Sequence, residues 1–163
     1  MPTYKVRFAN PQKQYQDHRD EFVAAFDDVL TRGDIVMRRD LDEFEASFAK
    51  LVGTRYAIGV NSGTSAIYLG LRAAGVKAGD EVITVAHTFI ASISCIYLVG
   101  AKPVLIDVRD DGNMDPALIE RALTPKTKAI EVVHLNGRLC DMEAIMDIAK
   151  RKGLMVVEDA AQA

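Results

Sequence analysis

Cysteine is scarce in this 163-residue chain: Cys95 and Cys140 stand far apart, in no CxxC pair and at no metal-ligand spacing. That excludes a disulfide framework and a cysteine-based metal site, and both read as buried thiols in a reducing compartment. Histidine is equally thin. His18, His87 and His134 are isolated, there is no HExxH and no Ser/His/Asp ordering, so neither a metal hydrolase nor a serine hydrolase is supported, and no metal site is expected. A large excess of charge of one sign is missing too. Twenty basic residues against 23 acidic ones give a formal net charge of −3, which removes the electrostatic case for nucleic acid or an anionic membrane. The opening residues, MPTYKVRFANPQKQYQDH, lack the apolar core of a signal peptide. No apolar run approaches the roughly 20 residues a spanning helix needs. A cytoplasmic protein without membrane or nucleic-acid partners is the expectation.

What is present is the mix of a globular protein: 49% hydrophobic and 26% charged residues, with no Pro-rich, Gly/Ser-rich or single-charge tract to mark a linker. Residues Asp17–Leu30 and Asp40–Leu51 carry apolar side chains at helical spacing (Phe22, Phe26, Val29, Leu30; then Leu41, Phe44, Phe48, Leu51), with Thr31–Asp34 as the loop between. From Tyr56 the texture changes. Candidate strands Tyr56–Val60, Glu81–Val85, Pro103–Asp107, Lys128–Val133 and Leu154–Glu158 start about 22 to 26 residues apart, one strand plus one returning helix. Candidate helices Gly63–Ala74, Phe89–Val99, Asp115–Leu123 and Met142–Lys152 lie between them, with Gly75, Gly79, Gly100 and Gly153 at their turns. The pattern predicts an α/β fold, a mainly parallel, doubly wound sheet covered on both faces, preceded by a helical arm over residues 1–54. Residues 55–163 form the α/β part. Because Glu158–Ala163 come straight off a strand, the chain is expected to stop partway through its domain.

In such sheets ligands bind beyond the carboxyl ends of the strands. Three segments there are candidates for chemistry. Asn61-Ser-Gly-Thr-Ser-Ala66 is a small-residue turn into a helix, suited to an anion through its N–H groups and the hydroxyls of Thr64 and Ser65, or simply a capped helix start. It matches neither GxGxxG nor GK[ST], against a dinucleotide or nucleotide loop. Phe89 after the second strand either lies over a planar ligand or opens the core of the next helix. Asp159 either puts a carboxylate at the ligand edge or caps a following helix, with Glu158 as the partner of some basic group. Asp107 reads as part of a polar turn, and His134 as either a ligand contact or a satisfied structural residue.

Taken in order, Asn61–Ala66, Gly79-Asp-Glu-Val-Ile83, Thr88-Phe89, Gly100-Ala-Lys-Pro-Val104 with Asp107, Thr127-Lys-Ala-Ile130, Val133-His-Leu-Asn-Gly137 and Glu158-Asp-Ala-Ala-Gln162 resemble the DegT/DnrJ/EryC1/StrS family of pyridoxal-phosphate-dependent sugar aminotransferases. The resemblance runs from about Phe8 to the last residue. It implies the large domain of a fold-type I enzyme, with a seven-stranded sheet, pyridoxal 5′-phosphate as cofactor, and transfer of an amino group from glutamate to a nucleotide-linked keto sugar in a homodimer. It places Gly63, Thr64 and Ser65 on the cofactor phosphate, Phe89 against the pyridine ring, Asp159 at the ring nitrogen and Gln162 at the ring's 3-oxygen. The family's Schiff-base lysine falls beyond Ala163, so no catalytic residue is expected within these residues, and the 163 residues alone are expected to be inactive. A sugar dehydratase of the same family, with histidine for that lysine, and a non-catalytic cofactor-binding relative fit the same motifs. The segment from Arg32 to Arg39 reads as a nucleotide-sugar contact.

Overall fold

The structure is a computed structural model that describes residues 9–33 and 35–163. Phe8 and the residues before it, and Asp34 of the expected Thr31–Asp34 loop and sugar-contact segment, lie outside it. The chain divides into two compact units, Met1–Gly59 and Val60–Ala163.

In the first unit, helix α1 spans Pro11–Arg32 and begins a turn and a half before the apolar spacing does. The cause is local: the Asn10 side chain accepts the Lys13 N–H at 3.2 Å, and Pro11, which has no N–H to leave unpaired, occupies the first helical position. Helix α2 spans Arg39–Val52. Arg32 donates to Asp28 (2.9 Å) and Asp40 (2.6 Å), linking the end of α1 to the start of α2. The apolar stripes form as the spacing predicts, yet Phe22, Phe26, Phe44, Phe48 and Leu51 remain exposed. The expected strand Tyr56–Val60 is not one: these residues are irregular, and the Gly59 N–H is taken by the Glu45 carboxylate at 2.6 Å instead of a neighbouring strand. A β-rich composition without a ladder partner does not make a strand.

The second unit is the α/β part. Its order is α3 (Gly63–Ala73), β1 (Glu81–Val85), α4 (Ile90–Leu98), β2 (Lys102–Ile106), a 3-10 turn (Pro116–Leu118) leading into α5 (Ile119–Ala122), β3 (Thr127–Val133), α6 (Met142–Lys152) and β4 (Met155–Asp159). The helix expected over Asp115–Leu123 is thus broken. Asp115 accepts the Ala117 N–H at 3.0 Å, closing a tight first turn, while Leu123 is already extended two residues before Pro125. All four strands are parallel in the order β2-β1-β3-β4. Alternation divides their side chains between two cores. Val82 and Ala129 pack with Ile67, Leu71, Cys95 and Ile96 of α3 and α4; Ile83, Ile130 and Val132 pack with Ile119, Ile145 and Ile148 of α5 and α6. Cover on both faces is why β1 is buried along its whole length. The chain leaves β1 toward β2 on one side and β3 toward β4 on the other, so the order reverses between β1 and β3. At that reversal the loops splay apart and open a crevice.

Candidate active site

The crevice holds a cavity of about 280 Å³ lined by residues from the ends of β1, β3 and β4 and the start of α3, close to the lower size of ligand pockets, about 300 Å³. Five of the six residues singled out from the sequence line it: Gly63, Thr64, Phe89, Asp159 and Gln162. Ser65 does not. Its N–H is capped by the Ser62 hydroxyl (3.1 Å) and its own hydroxyl donates to Asn61 (2.7 Å), so it shapes the turn that opens α3. With the Ser65 N–H taken by the cap and the Ala66 N–H by the Ser62 carbonyl (3.0 Å), the amides of Gly63 and Thr64 are the first-turn donors that face outward at the positive end of the helix.

Phe89 precedes α4 and is 69% exposed, which decides against a core role. It lines the cavity. Neighbouring His87 is turned away to the Gly112 carbonyl (3.2 Å) and does not line the cavity.

Asp159 ends β4. Its Oδ1 accepts the Ala161 N–H at 3.0 Å, which fixes the carboxylate and leaves Oδ2 for a ligand. Gln162 is held as well: its Oε1 accepts the Asn136 N–H (2.7 Å), which orients the amide nitrogen as the donating end. Gly137 makes room for this. It has φ +75°, and a Cβ there would come within 2.8 Å of the Gln162 carbonyl.

His134 lines the cavity but is 3% exposed and bonded on both sides. Its Nδ1 accepts the Cys140 N–H (3.2 Å), so the ring proton sits on Nε2 and is donated to Glu158 (3.0 Å). The structural role of His134 and the basic partner expected for Glu158 are therefore one interaction. Asp107 keeps its turn role, accepting the Val108 N–H at 2.8 Å.

Glu131 escaped notice in the sequence because it sits inside an apolar strand. It is completely buried, neither carboxyl oxygen has a hydrogen-bond partner, and burial first, then the charge of Asp159, push its proton affinity up to about 8. The Ser92 hydroxyl pulls the other way without reaching a full hydrogen bond. No lysine lines the cavity among the described residues. The same residues hold no cluster of three or more metal-ligating side chains and no helix long and apolar enough to cross a membrane.

Amide donors at a helix start, an aromatic ring and an anchored carboxylate acceptor around one small cavity can together receive a planar aromatic that carries an anionic group. The profile of the DegT/DnrJ/EryC1/StrS aminotransferase family matches residues 16–163. The chain belongs to this family. Among DegT/DnrJ/EryC1/StrS relatives, it is 44% identical over 162 residues to the dTDP-3-amino-3,4,6-trideoxy-alpha-D-glucose transaminase of Streptomyces venezuelae, covering 99% of this chain and 43% of that protein. Its structure is similar to that of S. venezuelae DesV (TM-score 0.95, 44% identity, 99% of this chain and 44% of that one). It is also similar to ntda from Bacillus subtilis with bound cofactor pmp (TM-score 0.93, 36% identity, 100% of this chain and 38% of that one). The chain thus spans about two fifths of the length of the relatives it matches. The likeness extends to the fold, the parallel sheet of the fold-type I aminotransferases.

Proposed function

We propose that this chain carries the cofactor-binding part of a pyridoxal-phosphate-dependent aminotransferase, one that moves an amino group from glutamate to a nucleotide-linked keto sugar. The observation that supports it best is the convergence of Gly63, Thr64, Phe89, Asp159 and Gln162 on one cavity at the sheet's reversal point. Each has a distinct task. The Gly63 and Thr64 amides and the Thr64 hydroxyl hold the phosphate at the start of α3, with Ser65 locking the turn. Phe89 sets the tilt of the ring. Asp159 offers its second oxygen to the ring nitrogen and favours a proton there, and Gln162 donates to the ring oxygen. When bound, the cofactor supplies an electron-withdrawing ring that stabilises negative charge beside the transferred nitrogen. Proton transfer at that carbon is assigned to no residue of this chain. The same reading includes a homodimer and a cytoplasmic location, which accords with a soluble nucleotide-sugar substrate.

Titration of the intact protein with pyridoxal 5′-phosphate, followed by absorbance, tests this reading. Saturable binding that inorganic phosphate displaces is expected. Absence of binding, or binding unaffected by Thr64→Ala and Asp159→Asn together, refutes it.

A further inference from the structure

The floor beneath the cavity is polar where a core should be apolar. Ala129, Glu131 and Val133 alternate onto the α3/α4 face of β3; Ala129 packs in that core and Val133 lines the cavity. Glu131 lies between them, completely buried, with both oxygens unpartnered. On one side, the β1–β3 register (Ile83 opposite Ile130) places Thr84 next to it, and the Thr84 hydroxyl is also buried and unpartnered. On the other, Val133 pairs with Asp159, so Glu131 is one same-face step below the carboxylate that lines the cavity. Above it on α4, the Ser92 hydroxyl hydrogen-bonds Thr88 (2.9 Å), and Thr88 lines the cavity. An acid is costly in such a place, and nothing in the packing of the sheet requires one.

We propose that Glu131 is electrostatically coupled to Asp159: it is a neutral acid while Asp159 carries the negative charge of the floor, and its hold on that proton weakens when a cationic ring nitrogen neutralises Asp159. This rests on the cofactor site proposed above. The titratable groups around Glu131 are Asp159 on β4 and Cys95 on α4, with Tyr68 of α3 bordering the same core. Burial is the first cause of the hold Glu131 keeps on its proton, and the charge of Asp159, the one anion among these groups, is the second. Pairing that anion with a cation removes the second of these causes and weakens the hold. By linkage, a ligand that lowers the proton affinity of Glu131 must bind more tightly as pH rises through its titration.

The test is calorimetric binding of pyridoxal 5′-phosphate to the intact protein and to Glu131→Gln, in two buffers of different ionisation heat, from about pH 7 to about pH 9. Proton changes of the cofactor itself are common to both proteins and cancel. The wild type should release more protons per cofactor bound than Glu131→Gln, and its affinity should rise several-fold relative to that of the variant across the range. Equal proton counts with parallel affinity curves overturn the proposal, because a merely structural Glu131 shifts both curves together. If Glu131→Gln does not fold, infrared spectra of the wild type decide. The protonated-carboxyl band should be present without cofactor and diminish on its addition; a band that is absent, or unchanged by cofactor, overturns the inference. Failure of the wild type to bind cofactor refutes the site and this inference with it.

Discussion

His134 Nε2 lies 3.0 Å from Glu158 Oε2, and the opposite ring nitrogen of His134 receives the Cys140 N–H at 3.2 Å. One imidazole therefore joins the end of β3 to β4 and to the loop before α6. Glu158 precedes Asp159, and Asn136, two residues after His134, holds Gln162. The bridge thus sets the relative position of two of the proposed cofactor contacts.

Replacing His134 by Ala should destabilise the protein by about 2 to 4 kcal/mol, combining an unpaired buried N–H with a small cavity. Glu158→Gln keeps an acceptor at the partly exposed end of the same bond and should cost less than about 1 kcal/mol. Denaturant unfolding of both variants checks the order; a Glu158→Gln loss equal to that of His134→Ala refutes it.

Gly137→Ala combines a left-handed backbone with a clash against the Gln162 carbonyl, whereas Gly153, at φ +66°, has open space where its Cβ would be. Gly153→Ala should cost roughly 1 kcal/mol from backbone strain alone. Gly137→Ala should cost more and also weaken cofactor binding, since the chain carrying Gln162 must move. Thermal melts and cofactor titration of the pair distinguish strain from displacement.

Stability should fall with rising pH over the window set by Glu131. Its folded-state affinity, about 8, stands above the ordinary 4.5. Between those values the folded protein holds a proton that the unfolded chain has lost, so each pH unit removes up to about 1.4 kcal/mol and the loss levels off above about 8. In Glu131→Gln this slope should be absent. Urea midpoints measured from about pH 5 to about pH 9 test it, and parallel curves for the two proteins contradict it.

In the complete enzyme, Asp159→Asn should separate from Thr64→Ala. The amide retains a hydrogen bond but not the charge that favours a proton on the ring nitrogen, a loss of about 3 to 5 kcal/mol, or at least about 100-fold in turnover at saturating cofactor. Thr64→Ala should weaken cofactor affinity by about 1 to 3 kcal/mol through one lost bond to a charged group, with turnover restored at saturation. Normal turnover by saturated Asp159→Asn refutes the ring-nitrogen role.

Local rules were sufficient where side-chain spacing and caps act over a few residues. Glu81–Val85 and Met142–Lys152 lie where the sequence pattern puts them, because an apolar run covered on both faces and an Asp141-capped amphipathic stretch ended by Gly153 leave few alternatives. The loops that carry Thr64, Phe89 and Asp159 come from strand and helix alternation in the same way. Features that depend on distant neighbours were not legible. Tyr56–Val60 has the composition of a strand, but its Gly59 N–H finds Glu45, fourteen residues back in sequence. Phe89 had two readings until the fold exposed its ring. Glu131 is one polar letter in an apolar run, and alternation alone would send it toward water; only the helices packed over that face of the parallel sheet bury it beside Asp159. Periodicity records which face a residue takes, whereas burial, and with it the charge a carboxyl carries, is decided by what the rest of the chain lays against that face.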